Sequence, residues 1–200
     1  MLDRIANMLL LGCALSAWGA APAAAQPVAP RFELSVERVD GAEGDQAYQI
    51  TSSGTVAATP AVVWRILTDY NHLADYLPNM KSTRVVSRNG DRVIVEQLGT
   101  ARFLFFSQAI RLVVQVQERS PDRIDISLID GDMKVYRATW ELSPLAGATG
   151  TRVVYNATIV PKFEVPGIVG TNVVRRDIAE MMAAVLLRLD RQEPHTQSQR

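Results

Sequence analysis

The sequence predicts an α+β fold: a curved antiparallel sheet of six or seven strands wrapped around one long carboxy-terminal helix, with one or two short helices after the first strand. Three observations predict it. From Ser82 to Val160, runs rich in Val, Ile and Thr follow one another with turn residues between them and no helical segment, so neighbours must pair antiparallel. Near Thr171 the apolar spacing changes from two to three and four, the period of a helix. Ahead of the strands, Thr59-Pro60 opens the helical stretch "PAVVWRIL", because proline suits the first helical position and threonine the cap before it. One helix cannot fill a curved sheet along its whole length, so a hollow between the two is expected.

The chain begins with a segment of another kind. "MLLLGCALSAWGA" is apolar and "APAAAQ" follows with small residues, the order of a secretory signal peptide with cleavage after Ala25. The apolar run is too short and too poorly flanked for a membrane-spanning helix. Cleavage would leave about 175 residues, one ordinary domain, in the periplasm or outside the cell. Cys13 is the only cysteine. "LLGC" offers a rival lipoprotein reading, but few apolar residues precede Cys13 and the run continues past it. With Cys13 removed, disulfides, thiolate nucleophiles and Cys-ligated metals are excluded.

Lys+Arg and Asp+Glu both number 21, so the formal net charge is zero. With no basic run, nucleic acid is not an expected partner, and no polybasic patch faces an anionic membrane.

The elements follow in order. Residues 26–45 read as a linker or a short strand at "RFELSVERV", and the domain proper as 46–191. "AYQITSSGTVAAT" is the first full strand. After "PAVVWRIL" comes a corner, "ILTDYNHLADYLPNM". "STRVVS" is a strand, and Asn89-Gly90 a hairpin signal, since both residues tolerate positive φ. "RVIVEQLGTARF", "IRLVVQVQER" and "RIDISLI" continue the series, the last with Ile124, Ile126 and Leu128 on one face. "DGD" at 130–132 reads as a tight turn. "KVYRATWEL" puts Tyr136, Ala138, Trp140 and Leu142 on one face, and "TRVVYNATIV" is the last strand. Val174, Ile178, Met181, Met182, Val185, Leu186 and Leu189 then mark an amphipathic helix from Thr171 to Asp190. Residues 192–200 form a polar tail.

Three stretches carry a resemblance: "TPAVVWRILTDYNHLADYLPNMKSTRVV", "GDMKVYRATWEL" and "VPKFEVPGIVGTNVVRRDIAEMMAAVLLRL". Together, from about residue 46 to 191, the chain resembles the START-like helix-grip superfamily (SRPBCC), whose members include polyketide cyclase/dehydrase and coenzyme Q-binding START-type domains. The resemblance implies a sheet gripping the carboxy-terminal helix, with an apolar ligand between them. Its relatives include lipid carriers, hormone receptors and aromatic cyclases, so it implies a cavity without naming what fills it.

Four places are candidates for the site. Asp69, His72 and Asp75 lie at i, i+3 and i+6, which would flank an imidazole with carboxylates for acid–base work. The preferred alternative is a scaffold corner: Asp69 ends or caps a helix, His72 is a solvated surface residue, and Tyr70, Tyr76, Leu77 and Pro78 pack the corner and border the cavity mouth. "FLFF", with Phe103, Phe105 and Phe106, is either a buried strand or an apolar rim that touches membrane or admits ligand. Tyr136 and Trp140 suit a pocket wall, because their rings bind apolar ligands while the polar tips orient them. Met181, Met182 and Val185 on the long helix would face them, methionine adapting to varied ligands.

No His/Asp/Glu cluster has metal spacing, and there is no nucleophile elbow, phosphate loop or dinucleotide fingerprint. No metal or cofactor is expected. The preferred expectation is an exported carrier of a hydrophobic small molecule or lipid that performs no chemistry. One alternative is a cyclase/dehydratase-type enzyme with Tyr136, Tyr155 or His72 as acid–base groups. Another is an envelope protein-interaction module that uses the "FLFF" patch.

Overall fold

The alternation of apolar and polar residues in the strands has one structural outcome, a sheet with a dry inner face and a charged outer one. A computed structural model describes residues 30–41, 44–102, 107–163, 165 and 170–191. The expected signal segment with Cys13 and the polar tail at 192–200 lie outside the described residues. The strands are β1 (Phe32–Asp40), β2 (Gln46–Val56), β3 (Met80–Asn89), β4 (Arg92–Arg102), β5 (Ser107–Arg119), β6 (Arg123–Gly131), β7 (Met133–Pro144) and β8 (Thr151–Pro161). They form one antiparallel sheet in the order β1-β2-β8-β7-β6-β5-β4-β3. Helix α1 (Pro60–Leu67) and a 3₁₀ turn (Tyr70–Asp75) carry the chain from β2 to the opposite edge at β3. From there it meanders back until β8 pairs with β2.

The sheet has eight strands, one more than the upper expectation. The addition is β1, which pairs with β2 from Phe32↔Gly54 to Asp40↔Gln46. Its sequence looks linker-like because it is an edge strand: Glu33, Ser35 and Glu37 are exposed and only Val36 is buried.

Inner-face residues are almost fully buried: Val93 and Val95 on β4, Val114 and Val116 on β5, Ile124 on β6 and Val153 on β8. The outer face carries ion pairs across strands. Glu96 meets Arg84 at 2.7 Å and Arg111 at 2.9 Å, and Asp125 meets Arg119 and Arg123 at 2.7 and 2.8 Å. Each exposed pair adds little stability. Their arrangement agrees with the one register that keeps the valines inside.

The β3–β4 hairpin turns where Asn89-Gly90 predicts, with Asn89 opposite Arg92 and Gly90 at φ 58°. "DGD" is not the tight turn expected. The β6–β7 ladder ends at Ser127↔Arg137, while Gly131 stays paired with Leu112 of β5. The register slips by one residue at Ile129, which lies on the outer face and is 53% exposed. Gly131 is required at the bulge: its φ is 132°, and a Cβ would stand 2.1 Å from the Arg111 carbonyl oxygen.

Helix α2 spans Gly170–Asp190, one residue longer than expected at its start. It buries Ile178, Met182, Val185, Leu186 and Leu189. Each end is tied to the sheet: Arg175 donates to the Val36 carbonyl at 3.3 Å, and the Ala57 N–H donates to Asp190 at 3.2 Å. Between these ties the helix crosses β2 at Gly54, where a Cβ would meet Leu186 Cδ1 at 2.7 Å. No helix among the described residues is long and apolar enough to cross a membrane.

Gly54→Val should therefore displace the buried Leu186 side chain of α2. Overpacking of this kind costs about 1–3 kcal/mol, which urea unfolding would read as a lower midpoint at unchanged slope. An unaltered midpoint would show that the Leu186 contact is not tight.

Candidate ligand cleft between the long helix and the sheet

The inner face does not stay filled along its length. On β4, Val93 and Val95 give way to Gln97, Gly99 and Ala101, so side chains shrink towards the strand end. On β5 the partners are Leu112 opposite Gln97 and Ile110 opposite Gly99. With little bulk on β4, a cleft of about 220 Å³ opens there. Ile178 and Met181 of α2 form its roof, and Leu77, Pro78 and Met80 close its side. Its lining is mostly apolar, with Asn79, Gln97, Thr100 and Asp177 as the polar exceptions.

The polar group is tightly connected. Asn79 has φ 65°, the left-handed region in which asparagine is one of the few tolerated residues. Its carbonyl accepts from the Thr100 N–H at 2.8 Å, and its Nδ2 donates to Glu180 of α2 at 3.1 Å. Asn79 Oδ1 and Thr100 Oγ1 are both buried without a hydrogen-bond partner. Such a buried unpaired oxygen costs about 1–3 kcal/mol. Burial also raises the Asp177 carboxyl above the usual carboxylate range, against the pull of Arg176, which donates to it at 2.9 Å. The same guanidinium donates to the Arg102 carbonyl at 2.5 Å, fastening α2 to the end of β4.

Of the residues singled out in the sequence, Leu77, Pro78 and Met181 line this cleft. Met182 and Val185 do not; they are 0% and 2% exposed in the packed core. Neighbours on a helix point about 100° apart, so Met181 and Met182 cannot share one face. Tyr70 is buried at the corner with the Arg88 guanidinium 5.8 Å above its ring, and Tyr76 has Arg188 at 5.9 Å. Burial raises both phenols well above their ordinary pKa. His72 pairs with Asp69 at 2.7 Å as its spacing foretells, and that hydrogen bond raises its pKa. The side chain is 65% exposed and stands outside the cleft lining.

Tyr136, Trp140 and Tyr155 form a second group, deeper on β7 and β8. Trp140 and Tyr155 are opposite each other, ring centroids 4.6 Å apart. The Tyr136 and Tyr155 hydroxyls lie 3.5 Å apart. Burial raises both phenols, Tyr155 further because Tyr136 adds to it, so both stay protonated at neutral pH and can offer hydrogen bonds but not act as a base. Phe103, Phe105 and Phe106 lie outside the described residues. Among the described residues no cluster of His, Cys, Asp and Glu could hold a metal ion.

Residues 56–186 match the sequence profile of the family described as polyketide cyclase/dehydrase and lipid transport. The chain belongs to that family. Solved structures agree with its fold. The Zhui aromatase/cyclase from a Streptomyces species has TM-score 0.64 at 14% identity, over 74% of this chain and 97% of its own. A START superfamily protein from Mycobacterium smegmatis has TM-score 0.63 at 16% identity, over 72% and 99%. A STAR-related lipid transfer protein from Xanthomonas axonopodis has TM-score 0.62 at 15% identity, over 78% and 99%. At such identities these likenesses concern the polyketide cyclase/dehydrase fold alone. A comparison with curated protein sequences gives no match.

Sequence reasoning misses the whole β4 and β5 wall, from Gln97 to Ala101 with Ile110 and Leu112, and also Asn79, Met80, Asp177 and Ile178. The only local signal is the weakening of the β4 inner face at Gly99.

Asp177 has a pH signature. Its folded pKa is raised, so the folded chain holds the proton longer than the unfolded one, and stability falls as pH rises from the ordinary carboxylate range through the raised value. Asp177→Asn should therefore gain thermal stability over the wild type at pH 7, with the gap closing towards pH 4. A gap independent of pH would contradict a half-buried, ionising Asp177.

Proposed function

We propose that this protein is exported and binds a hydrophobic small molecule or lipid, such as a quinone, isoprenoid or acyl chain, in the cleft between α2 and the sheet, without chemistry on it. The observation that carries this reading is the apolar cleft under Ile178 and Met181. Each methylene moved there from water contributes about 0.8 kcal/mol. The family description includes lipid transport, and one solved relative is a lipid transfer protein. Export is supported by the apolar and small-residue order of residues 8–25.

Native mass spectrometry of the purified protein, followed by organic extraction, tests the reading. A stoichiometric apolar compound is expected, and Met181→Arg should remove it and weaken N-phenyl-1-naphthylamine binding at least tenfold while the protein stays folded. Retention of compound and dye by that variant would place binding elsewhere.

A second reading, a cyclase/dehydratase acting on an aromatic or polyketide-like substrate, draws on one observation, the buried Tyr136–Tyr155 hydroxyl pair. There the Tyr155 hydroxyl would donate a hydrogen bond to a substrate oxygen that gains negative charge. Tyr155→Phe should then lower kcat at least a hundredfold and leave substrate binding near wild type. Equal turnover by this variant would remove the pair from any chemistry.

A further inference from the structure

Four polar residues line the cleft, and three of them are engaged or out of reach. Asn79 gives its Nδ2 to Glu180, while its Oδ1 is shut off from the open space, as is Thr100 Oγ1. The Asp177 carboxylate is taken by the Arg176 guanidinium at 2.9 Å. Gln97 is the fourth. Among the described residues no hydrogen bond reaches its amide, and the side chain is partly buried without that amide being closed off.

Strand alternation puts Gln97 on the inner face with Val93 and Val95, both fully buried. It stands where the filled core stops and the small residues Gly99 and Ala101 begin. Its neighbours across the ladders are Leu112 on β5 and Thr83 on β3. Thr83 Oγ1 is buried without a partner, so the amide is not spent on the hydroxyl directly opposite. For filling space alone, leucine or methionine would suit this position better, because an amide without a partner gives up bonds to water and gains none. A glutamine amide offers two donors and an acceptor. It can meet a ligand carbonyl or a ligand hydroxyl equally well, and it does not choose between them. What it does distinguish is a ligand with a polar group from a pure hydrocarbon.

Resting on the hydrophobic-ligand reading above, we propose that Gln97 reads the polar group of the ligand. The ligand is an apolar molecule that carries a carbonyl or hydroxyl. That group bonds the Gln97 amide, and the apolar body lies over Gly99 and Ala101 beneath Ile178 and Met181. Gln97 is then the residue that determines specificity for ligand polarity.

Equilibrium dialysis at neutral pH against 2-naphthol, 2-acetylnaphthalene and 2-ethylnaphthalene tests this. The three share a ring system and differ as donor, acceptor and inert group. Gln97→Met keeps the length of the side chain and removes its amide. It should weaken both polar probes about fivefold, the worth of one net hydrogen bond, and leave 2-ethylnaphthalene as tight as in the wild type or tighter. Gln97→Leu, a second apolar replacement, should do the same, and thermal unfolding shows which variants are folded at the dialysis temperature. A role in packing alone would move all three probes together. Thr83→Val removes the shut-off hydroxyl opposite Gln97 and should leave all three affinities unchanged. If the folded Gln97 variants shift the three probes alike or not at all, or if Thr83→Val weakens the polar probes as much, the Gln97 contact is wrong while the apolar cleft stands. If the wild type binds none of the three, the hydrophobic-ligand reading fails and this inference with it.

Discussion

A single α-helix with its side chains is about 10 Å wide, and neighbouring strands lie about 4.8 Å apart. One helix can therefore cover about two strands, and this sheet has eight. Everything else in the molecule follows from how that deficit is met. Helix α2 packs on β1 and β2, and at Gly54 of β2 Leu186 reaches the backbone. Helix α1 packs against β7 and the 3₁₀ turn against β3. Large side chains, Trp140 and Tyr155 among them, fill the middle. At the far end of β4 and β5 neither a helix nor a side chain is large enough, and the cleft is what remains.

This explains which parts of the molecule can be read from residue order. Strand and helix periods are local, so the long helix, the Asn89-Gly90 hairpin and the valine faces of β4 and β5 are legible in the sequence itself. The family resemblance is legible too, because its three stretches mark the corner, one strand and the closing helix. β1 is ambiguous because an edge strand needs only one good face, and its own offers one buried valine. The bulge at Gly131 is hidden, since "DGD" serves equally well as a turn and only the Arg111 carbonyl decides between them.

The site is the least legible part, for a physical reason. A cleft is a place where bulk is missing, and missing bulk depends on what lies across the gap. The large aromatics Tyr136 and Trp140 draw attention as pocket walls, yet in this chain Trp140 is mostly spent filling the centre of the sheet. The cleft lies where residues are small, at Gly99 and Ala101. Met181 and Met182 are equivalent by composition, and only the rotation of α2 separates the one on the cleft from the one in the core.

A sheet left partly uncovered to make a cleft also ends in an open edge at β3. An edge strand offers unpaired backbone groups to any other strand that comes near. Lys81, Arg84 and Arg88 stand along this one, and two irregularities in its register interrupt the flat template. Arg84 and Arg88 lean inward to Glu96 and Glu118, so their positive charge is placed beside the edge and held there. The strand that borders the cleft is thus also the one where the sheet ends, and its outer backbone is met by the preceding corner, where Asn71 accepts from the Val85 N–H at 2.8 Å.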